Sequence, residues 1–359
     1  MNMSKTLGTI VAVILAAACG GSPPPAPTAP TGAEAPAMPT TPTTPPVSET
    51  PVTTPAPAPV AAKAATPEET TKALIDAWNA HDADKVAAAY AENAVLRIVP
   101  MADLTGRAAI KASTADSLKA FPDFKVAVTR VTMKGNLAAV EWVITGTNTG
   151  DSDFMKMKAS GRKMGLRGAD MVTFDDAGLI KESHRYFDMP TQTAQLDAKA
   201  KAGSFRAVEA LPTAAPLVAS TKGTPDEQKN LDAANAMYKA IDDHKTDALV
   251  ALMTADGTMD DFTNPATFKG PKAVKTFMDG VMKTMPDVSQ DKLVQLAAGD
   301  LVVTEGYMHG TMKGNMGPMK ATNKPMGMHF IDVIQIKDGK MVKGWSYGNA
   351  FEMVPPLSK

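Results

Sequence analysis

The chain has 359 residues, of which 44% are hydrophobic and 21% charged, with 37 basic against 38 acidic side chains. That length favours two globular units, and the balanced charge argues against nucleic acid as a partner. The single Cys excludes an internal disulfide, a Cys-rich zinc site and an iron–sulfur cluster. No apolar run reaches the roughly 18 residues needed to span a bilayer.

Residues 1–18 are predicted to be a lipoprotein signal peptide. Lys5 supplies a short positive region, and residues 11–18 form an apolar core that ends directly before Cys19. Such a stretch is typical of a signal peptide rather than a membrane span. The three alanines before Cys19 resemble a bacterial lipobox, with Leu15 one place earlier than usual. The resemblance implies a lipidated Cys19 and stable anchoring in a membrane. Ordinary secretion with an unmodified Cys is the alternative.

Residues 19–65 are predicted to form a disordered tether. Residues 22–66 hold 14 of the 28 prolines, and Ala and Thr fill most of the other positions. This composition cannot bury a core, and its prolines favour an extended spacer. Glycines follow Cys19 at positions 20 and 21, so the Asp that is associated with inner-membrane retention in enteric bacteria is absent there. We therefore expect a lipid-anchored protein of the bacterial cell envelope, at the outer membrane.

The region after the tether contains the same sequence pattern twice. Gly135–Glu141 aligns with Gly299–Glu305 at an offset of 164, and Phe121–Asp123 aligns with Met285–Asp287 at the same offset. The offset is 163 upstream and 162 downstream, as short insertions in loops would produce. We therefore predict a first domain over 66–197, a connector over 198–222 and a second domain over 223–359.

Each copy begins with helices and ends with strands. A capping box with Pro at the first helical position starts at Thr66 and again at Thr224. A second, short helix is predicted to reach Tyr90 in the first copy. The strand-like runs of the two copies are Phe124–Met133, Leu137–Thr147, Gly168–Phe174 and Leu179–Phe187, then Leu293–Ala297, Leu301–Thr311, His329–Ile336 and Met341–Tyr347. This order predicts an α+β unit with helices on one side of a curved antiparallel sheet.

These motifs together resemble the nuclear transport factor 2-like superfamily, and more narrowly its SnoaL-like polyketide cyclase and ester cyclase group. The motifs that carry the resemblance are Trp78–Asp82, Phe121–Asp123, Gly146-Thr147, Ser160–Lys163, Arg167–Asp170, Gly178–Glu182 and Asp188 with Gln195-Leu196. The resemblance implies two tandem cone-shaped α+β barrels, each with an open, mostly apolar pocket between the helices and the concave face of the sheet. It also implies that the two domains can pair through their sheets as an intramolecular pseudo-dimer.

Asp170 and Asp332 are the predicted catalytic residues. Because strand residues alternate between faces, Asp170 shares a face with Val172 and Phe174, and Asp332 stands in the same pattern. A carboxylate on an apolar face is desolvated, which raises its pKa and makes it a better general base. In the resembled family an Asp of this kind abstracts a proton α to a carbonyl. An Asp that only bonds the backbone near a strand start is the alternative.

One departure from the ester cyclases concerns the residue after Gly-Thr, which is usually His. Asn148 and Met312 occupy these places here. Since the two copies differ from each other as well, duplication can leave one working site and one scaffold, or none.

Other polar and aromatic side chains are predicted to line the pockets. They are Arg167, Trp78, Trp142, His184, Tyr307, His309, His329 and Trp345. His309, His329 and Asp332 also raise the alternative of a zinc or copper site. Because strand residues alternate between faces, we expect His329 and Asp332 to point to opposite sides of their strand. We therefore predict neither a metal nor a cofactor. The six methionines between 308 and 328 either bind Cu(I) or, as we favour, form an adaptable pocket rim.

Two functions remain open. The first is a membrane-anchored ester cyclase that uses Asp as a general acid/base on a small hydrophobic carbonyl compound. The second is a non-catalytic envelope lipoprotein that binds a hydrophobic ligand or a protein partner. An enzyme requires Asp170 or Asp332 in an open cavity beside a second polar group such as Arg167, Tyr307 or His309, whereas a simple binder would tie these carboxylates to the backbone.

Overall fold

The computed structural model describes residues 64–317 and 319–353. They form one compact unit that contains two α+β cones in tandem, each with a curved mixed sheet and packed helices, which confirms the predicted fold class. The signal segment, Cys19 and the tether up to residue 63 lie outside the described residues, so their assignments stay predictions. Within the described part of the chain, no helix is long and apolar enough to cross a membrane.

The first domain consists of four helices and a seven-stranded sheet with the order β2-β1-β6-β5-β4-β3-β7. Its helices are α1 (Pro67–Asn79), α2 (Ala83–Ala88), α3 (Arg107–Ala120) and α4 (Met189–Leu196). Its strands are β1 (Tyr90–Arg97), β2 (Leu104–Thr105), β3 (Lys125–Lys134), β4 (Leu137–Thr147), β5 (Lys163–Phe174) and β6 (Ile180–Phe187). Strand β7 (Leu217–Ser220) comes from the predicted connector and pairs in parallel with β3.

The second domain repeats the plan with a six-stranded sheet of order β10-β11-β12-β13-β8-β9. Its helices are α5 (Pro225–Asp242), α6 (Thr246–Ala251) and α7 (Gly270–Thr284). Its strands are β8 (Met253–Asp261), β9 (Phe268–Lys269), β10 (Ser289–Ala298), β11 (Leu301–Thr311), β12 (Pro325–Lys337) and β13 (Lys340–Gly348). A short 3₁₀ helix, Ala350–Met353, follows β13.

Local signals explain where the helices begin and end. Thr66 and Thr224 each accept a bond from the backbone N–H three residues on, and that residue's Glu side chain accepts from the Thr backbone, which confirms both capping boxes. His81 and His244 lie in the turns between α1 and α2 and between α5 and α6, both in the left-handed region at φ 56°. Their Nε2 atoms lie 2.8 and 2.9 Å from carbonyl oxygens of Phe124 and Val288. Each His thus joins its helices to the chain that enters the sheet.

The prediction of an antiparallel sheet was wrong in one respect, because each sheet is mixed. Strand β1 pairs in parallel with β6, and β8 pairs in parallel with β13. Sequence patterning missed β1 and β8. The helix that was predicted to reach Tyr90 ends at Ala88. Both missed strands carry polar residues and irregular pairing, so neither shows the alternation that identifies a strand.

Because strand side chains alternate between the two faces of a sheet, each sheet has a concave face towards its helices and an outward face away from them. On β4, Val140, Trp142 and Ile144 face the helices, while Ala139 and Glu141 face away from them. The outward faces of the two sheets share one hydrophobic cluster. Its buried members are Ala139, Ala169, Met171 and Tyr186 of the first domain and Phe262, Leu296, Leu301, Val303, Ile331, Val333 and Tyr347 of the second. The concave faces therefore remain available for cavities.

Two matching hydrogen bonds cross between the sheets. The Tyr186 hydroxyl donates to Glu305 at 2.7 Å, and the Tyr347 hydroxyl donates to Glu141 at 2.6 Å. The residues are equivalent in the repeat, so the contact is reciprocal, as in a two-fold interface. Each buried Glu also has a basic neighbour, but the neighbours differ. Arg130 lies 2.9 Å from Glu141 within the first domain, whereas His184 of the first domain reaches Glu305 of the second at 2.7 Å.

Candidate functional site

Each domain has a cavity between its helices and the concave face of its sheet. The cavity of the first domain (cavity 1) has a volume of about 120 Å³, and that of the second (cavity 2) about 130 Å³. Six aromatic side chains line cavity 1 together with aliphatic ones, namely Trp78, Phe121, Phe124, Trp142, Phe154 and Phe187. Seven methionines line cavity 2, namely Met237, Met253, Met259, Met278, Met308, Met328 and Met341. Asp170 lines cavity 1, and Asp332 lines cavity 2.

Asp170 is held in a buried ion pair. Arg185, opposite it on β6, donates from Nη2 to Oδ2 at 2.8 Å and from Nε to both carboxylate oxygens at 3.1 Å. The indole N–H of Trp142 donates to Oδ1 at 2.9 Å, and the Ser183 hydroxyl donates to Oδ2 at 3.4 Å. Burial alone would lower the pKa of Arg185, but the adjacent Asp170 charge raises that pKa above its ordinary value. The cavity 1 carboxylate therefore sits beside a permanent cation.

Within the part of the chain that the structure describes, Asp332 is not paired with a cation. Its partner on β13 is Ser346, whose hydroxyl is a hydrogen-bond partner, and the Tyr238 hydroxyl of α5 donates to Oδ2 at 3.1 Å. The side chain is only half-buried by surface area although it lies deep in the domain, because the cavity reaches it. Burial among apolar walls raises the pKa of Asp332 to about 6, against the opposing hydrogen bonds. This carboxyl group can gain and lose a proton near neutral pH.

The two domains place a different aromatic ring beside the Asp, and this contributes to the difference in hydrogen bonding between Asp170 and Asp332. In the first domain Trp142 stands opposite Gly168, and in the second Gly306 stands opposite Phe330. A Cβ atom at Gly168 would lie 2.2 Å from the Trp142 ring, and one at Gly306 would lie 2.5 Å from the Phe330 ring. Each glycine therefore makes room for a ring that crosses from the facing strand. The indole supplies an N–H to Asp170, but a phenyl ring supplies none to Asp332.

Cavity 2 has a second carboxylate at its wall. Asp261, at the end of β8, accepts bonds from the backbone and hydroxyl of Thr263 and from the amide of Asn264. Burial raises its pKa against these bonds, and its charge in turn raises the pKa of Asp332. Sequence reasoning missed Asp261, Tyr238, Arg185 and Ser346. The register partner of each predicted Asp across the last hairpin was the available signal for the last two.

The predicted pocket residues divide between the cavities and other surfaces. Trp78 and Trp142 line cavity 1. Trp345 borders cavity 2, and its ring lies 3.9 Å from the guanidinium carbon of Arg130. Arg167 lines neither cavity, and its Nε lies 3.3 Å from a carboxylate oxygen of Glu209.

The predicted histidines and Tyr307 also lie away from both cavities. The Tyr307 ring stacks on His309 with the ring centroids 5.6 Å apart, and the His329 ring lies tilted against it at 4.5 Å. His309 pairs with Asp291 at 3.2 Å, and His329 pairs with Glu352 at 2.8 Å. His184 lies between the domains, with Glu182 as a further partner at 2.9 Å. In the described ranges, no group of three or more His, Cys, Asp or Glu side chains is placed to hold a metal ion.

The methionines of the hairpin take two positions. Met308 and Met328 line cavity 2, whereas Met312 and Met326 are buried in a separate hydrophobic cluster with Met285. Asn148, where the ester cyclases have His, is also buried outside cavity 1. Its amide donates to the Gly150 carbonyl at 2.8 Å, and its oxygen accepts from the backbone of Ser160 at 2.9 Å. It holds a loop together rather than facing a ligand.

The comparisons with known proteins agree with this architecture. A model of the SnoaL-like polyketide cyclase family matches residues 68–196 and again residues 231–355. No curated protein sequence shows a significant match.

Several solved structures are similar to one domain's length of the chain. A candidate SnoaL-like polyketide cyclase from Jannaschia sp. CCS1 is 14% identical, covers 38% of this chain over 99% of its own, and has a TM-score of 0.35. IdmH, a candidate polyketide cyclase from Streptomyces antibioticus, is 19% identical over 35% of this chain and 95% of its own, with a TM-score of 0.32. AclR, a candidate hydroxylase from Streptomyces galilaeus, is 17% identical over 36% and 94%, with a TM-score of 0.33.

Proposed function

The chain belongs to the SnoaL-like polyketide cyclase family, and from this premise we propose that cavity 2 carries out acid/base chemistry on a small hydrophobic carbonyl compound. Asp332 is the proposed proton carrier. The observation that carries the proposal is its carboxylate, which is accessible inside an apolar cavity and, among the described residues, has two neutral hydrogen-bond partners, Tyr238 and Ser346. A general base works best when its pKa lies near the working pH.

The proposed reaction step is the transfer of a proton from the carbon α to the carbonyl. The C–H bond of the ligand breaks, its electron pair forms an enolate, and the proton goes to a carboxylate oxygen of Asp332. In exchange, the Asp332 carboxyl group trades that proton with the solvent and returns a solvent proton to the carbon. In cyclisation, the enolate carbon attacks a second carbonyl of the same molecule, and the alkoxide that forms takes the proton back from Asp332. Apolar walls that exclude water keep the carboxylate poorly solvated and therefore basic.

Proton exchange with a probe ketone tests the proposal without knowledge of the natural substrate. The full chain is incubated with 1-indanone in D₂O, and loss of the α-proton signal is followed by ¹H NMR. Because the base must be ionised, we expect the exchange rate to rise as the pH increases through about 6. Asp332→Asn should lower the rate by about 10² to 10⁴ fold, the range for removal of a general base.

His309→Gln is the matched control, because His309 lies outside both cavities. It should exchange 1-indanone at the wild-type rate. Full exchange activity in a folded Asp332→Asn variant would contradict the proposal. The non-catalytic alternative, an envelope protein that binds a hydrophobic ligand or a protein partner, would then be the better account.

We also propose that the protein is attached to the bacterial envelope through a lipidated Cys19, at the outer membrane. The support is sequence alone, namely Lys5, the apolar residues 11–18 and the position of the only Cys. Cys19→Ser should shift the protein from the membrane fraction to the soluble fraction and abolish labelling by a radioactive fatty acid. Retention of both properties in that variant would contradict the proposal.

A further inference from the structure

The carboxylates of the two cavities occupy equivalent places but face different partners. Asp170 pairs in register with Arg185 across β5 and β6, and Asp332 pairs with Ser346 across β12 and β13. Arg185 lies on β6 and Ser346 on β13, and both side chains reach the same cavity as the Asp. The duplicated fold therefore offers one position at which the two sites can be compared directly.

We propose that this position decides which cavity exchanges protons with its ligand: Arg185 keeps Asp170 out of proton transfer, and Ser346 leaves Asp332 free for it. The inference rests on the proposed function of cavity 2 and extends it to the difference between the domains. Arg185 and Ser346 act through the Asp beside them and are positioning residues.

Hydrogen bonding in cavity 1 supports the first half of the inference. Both oxygens of Asp170 accept from Arg185, and each has a further donor, Trp142 on Oδ1 and Ser183 on Oδ2. A ligand proton could reach either oxygen only by displacing one of these donors, which would leave the buried Arg185 cation without its counterion. The pair is electrically neutral as a whole, so cavity 1 suits an uncharged apolar ligand that it does not transform.

The surroundings of Asp332 support the second half. The groups that face it are Tyr238 from α5, Ser346 from β13 and Asp261 from β8. Thr304 stands opposite it on β11 and bonds Tyr238 rather than supplying a charge. Among the described residues no Lys or Arg pairs with Asp332: Lys292 of β10 has its Nζ 5.8 Å from the centre of the Tyr238 ring, and Arg206 donates to the backbone carbonyl of Asp261 at 3.2 Å. Desolvation therefore acts on Asp332 with little opposing positive charge.

The first test introduces a cation at the second-domain position. Aspartate is labelled with ¹³C at its carboxyl carbon in the full chain, and the Asp332 signal is identified by its loss in Asp332→Asn. In the wild type that signal should titrate at about 6. In Ser346→Arg it should titrate at about 4 or lower, as a carboxylate next to a guanidinium does. Ser346→Ala is the neutral control: it removes a bond that lowers the pKa of Asp332 and adds no charge, so the signal should titrate at or above its wild-type position.

Ser346→Lys keeps the test available if the longer Arg side chain prevents folding. It adds the same charge on a more flexible stem and should shift the titration in the same direction. An Asp332 signal that titrates at its wild-type pH in folded Ser346→Arg and Ser346→Lys proteins would overturn the inference. The measurement needs no substrate, so it can fail or succeed whether or not the protein exchanges 1-indanone.

The second test removes the cation from cavity 1. Asp332→Asn supplies a background in which cavity 2 is inactive, and Arg185→Ser is added to it. We expect α-proton exchange of 1-indanone to reappear in the double variant, with its activity now dependent on Asp170. Addition of Asp170→Asn should remove that activity again. A folded double variant that remains as inactive as Asp332→Asn would overturn the assignment of this role to Arg185.

Discussion

The two domains share a fold and a cavity but differ in how they treat a buried carboxylate. In the first domain Asp170 is neutralised by Arg185 and bonded by the Trp142 indole. In the second, Asp332 has a serine and a tyrosine hydroxyl, and its pKa rises to about 6. The contrast teaches that the scaffold supplies a dry hollow and an aspartate, whereas side chains on neighbouring strands set what that aspartate can do.

The largest expected effect concerns the ion pair of the first domain. Arg185→Leu would leave Asp170 buried without its counterion, which should lower the free energy of unfolding by about 3–5 kcal/mol. The matched change in the second domain, Ser346→Ala, removes a neutral hydrogen bond and should cost only about 1 kcal/mol. Urea unfolding followed by tryptophan fluorescence measures both.

A double variant separates loss of the counterion from loss of packing. Asp170→Leu combined with Arg185→Leu replaces the pair by apolar side chains and should recover much of the lost stability, because an unpaired buried charge is worse than none. Equal costs for Arg185→Leu and Ser346→Ala would contradict the contrast between the two cavities.

The next largest effect lies between the domains. Tyr186→Phe and Tyr347→Phe each deprive a buried Glu of a hydroxyl donor, and each should cost about 1.5–3 kcal/mol, the range for bonds to charged groups. At pH 6 the two losses should be similar, since each Glu keeps a basic neighbour. Thermal unfolding of the two variants checks this. A cost confined to one Tyr would show that the reciprocal bonds are not energetically equivalent.

A third prediction uses the difference between those basic neighbours, His184 and Arg130. The hydrogen bond to Glu305 is the main cause that raises the pKa of His184 above its ordinary value. A raised histidine pKa gives stability that is fully present below about 6.5, the unfolded value, and is lost as the pH rises through the folded value. We therefore expect His184→Gln to lower Tm clearly at pH 6 and progressively less at higher pH.

Arg130 provides the control for that titration, because a guanidinium stays charged throughout the range. Arg130→Gln leaves Glu141 buried without its paired cation, and burial raises the pKa of that carboxyl group, so the Tm loss of this variant should not shrink as the pH rises. A constant Tm difference for His184→Gln across the range would contradict the proposed protonation of His184 in the folded protein.

Much of the fold is readable from the sequence because its signals are local or repeated. The capping boxes at Thr66 and Thr224 and the helical ends at His81 and His244 depend on neighbouring residues. The parallel strands β1 and β8 were missed, because their pairing partners lie far along the chain and their own residues do not alternate.

The site was only partly readable for a related reason. Alternation placed Asp170 and Asp332 on apolar faces, and both line cavities. The partners that decide their chemistry sit on a neighbouring strand or helix, so a scan for clusters along the chain did not select Arg185 or Tyr238. Tyr307 and His309 were selected for their chemical type, but strand alternation turns them away from cavity 2.

The smallest expected effect concerns a corner that the two domains share. Asp123 accepts from the backbone and hydroxyl of Thr147 at 2.6 and 2.7 Å, and Asp287 accepts from Thr311 at 2.8 and 2.7 Å. For Asp123 burial opposes the effect, but in both cases the threonine bonds lower the pKa of the carboxyl group.

A lowered carboxyl pKa gives stability that is present above about 3.9, the unfolded value, and is lost as the pH falls through the folded value. Asp123→Asn and Asp287→Asn should therefore lower Tm slightly and equally at pH 7, and the loss should vanish in acid. Unequal losses at pH 7 would mean that the asymmetry between the domains extends beyond their cavities to the sheet corners.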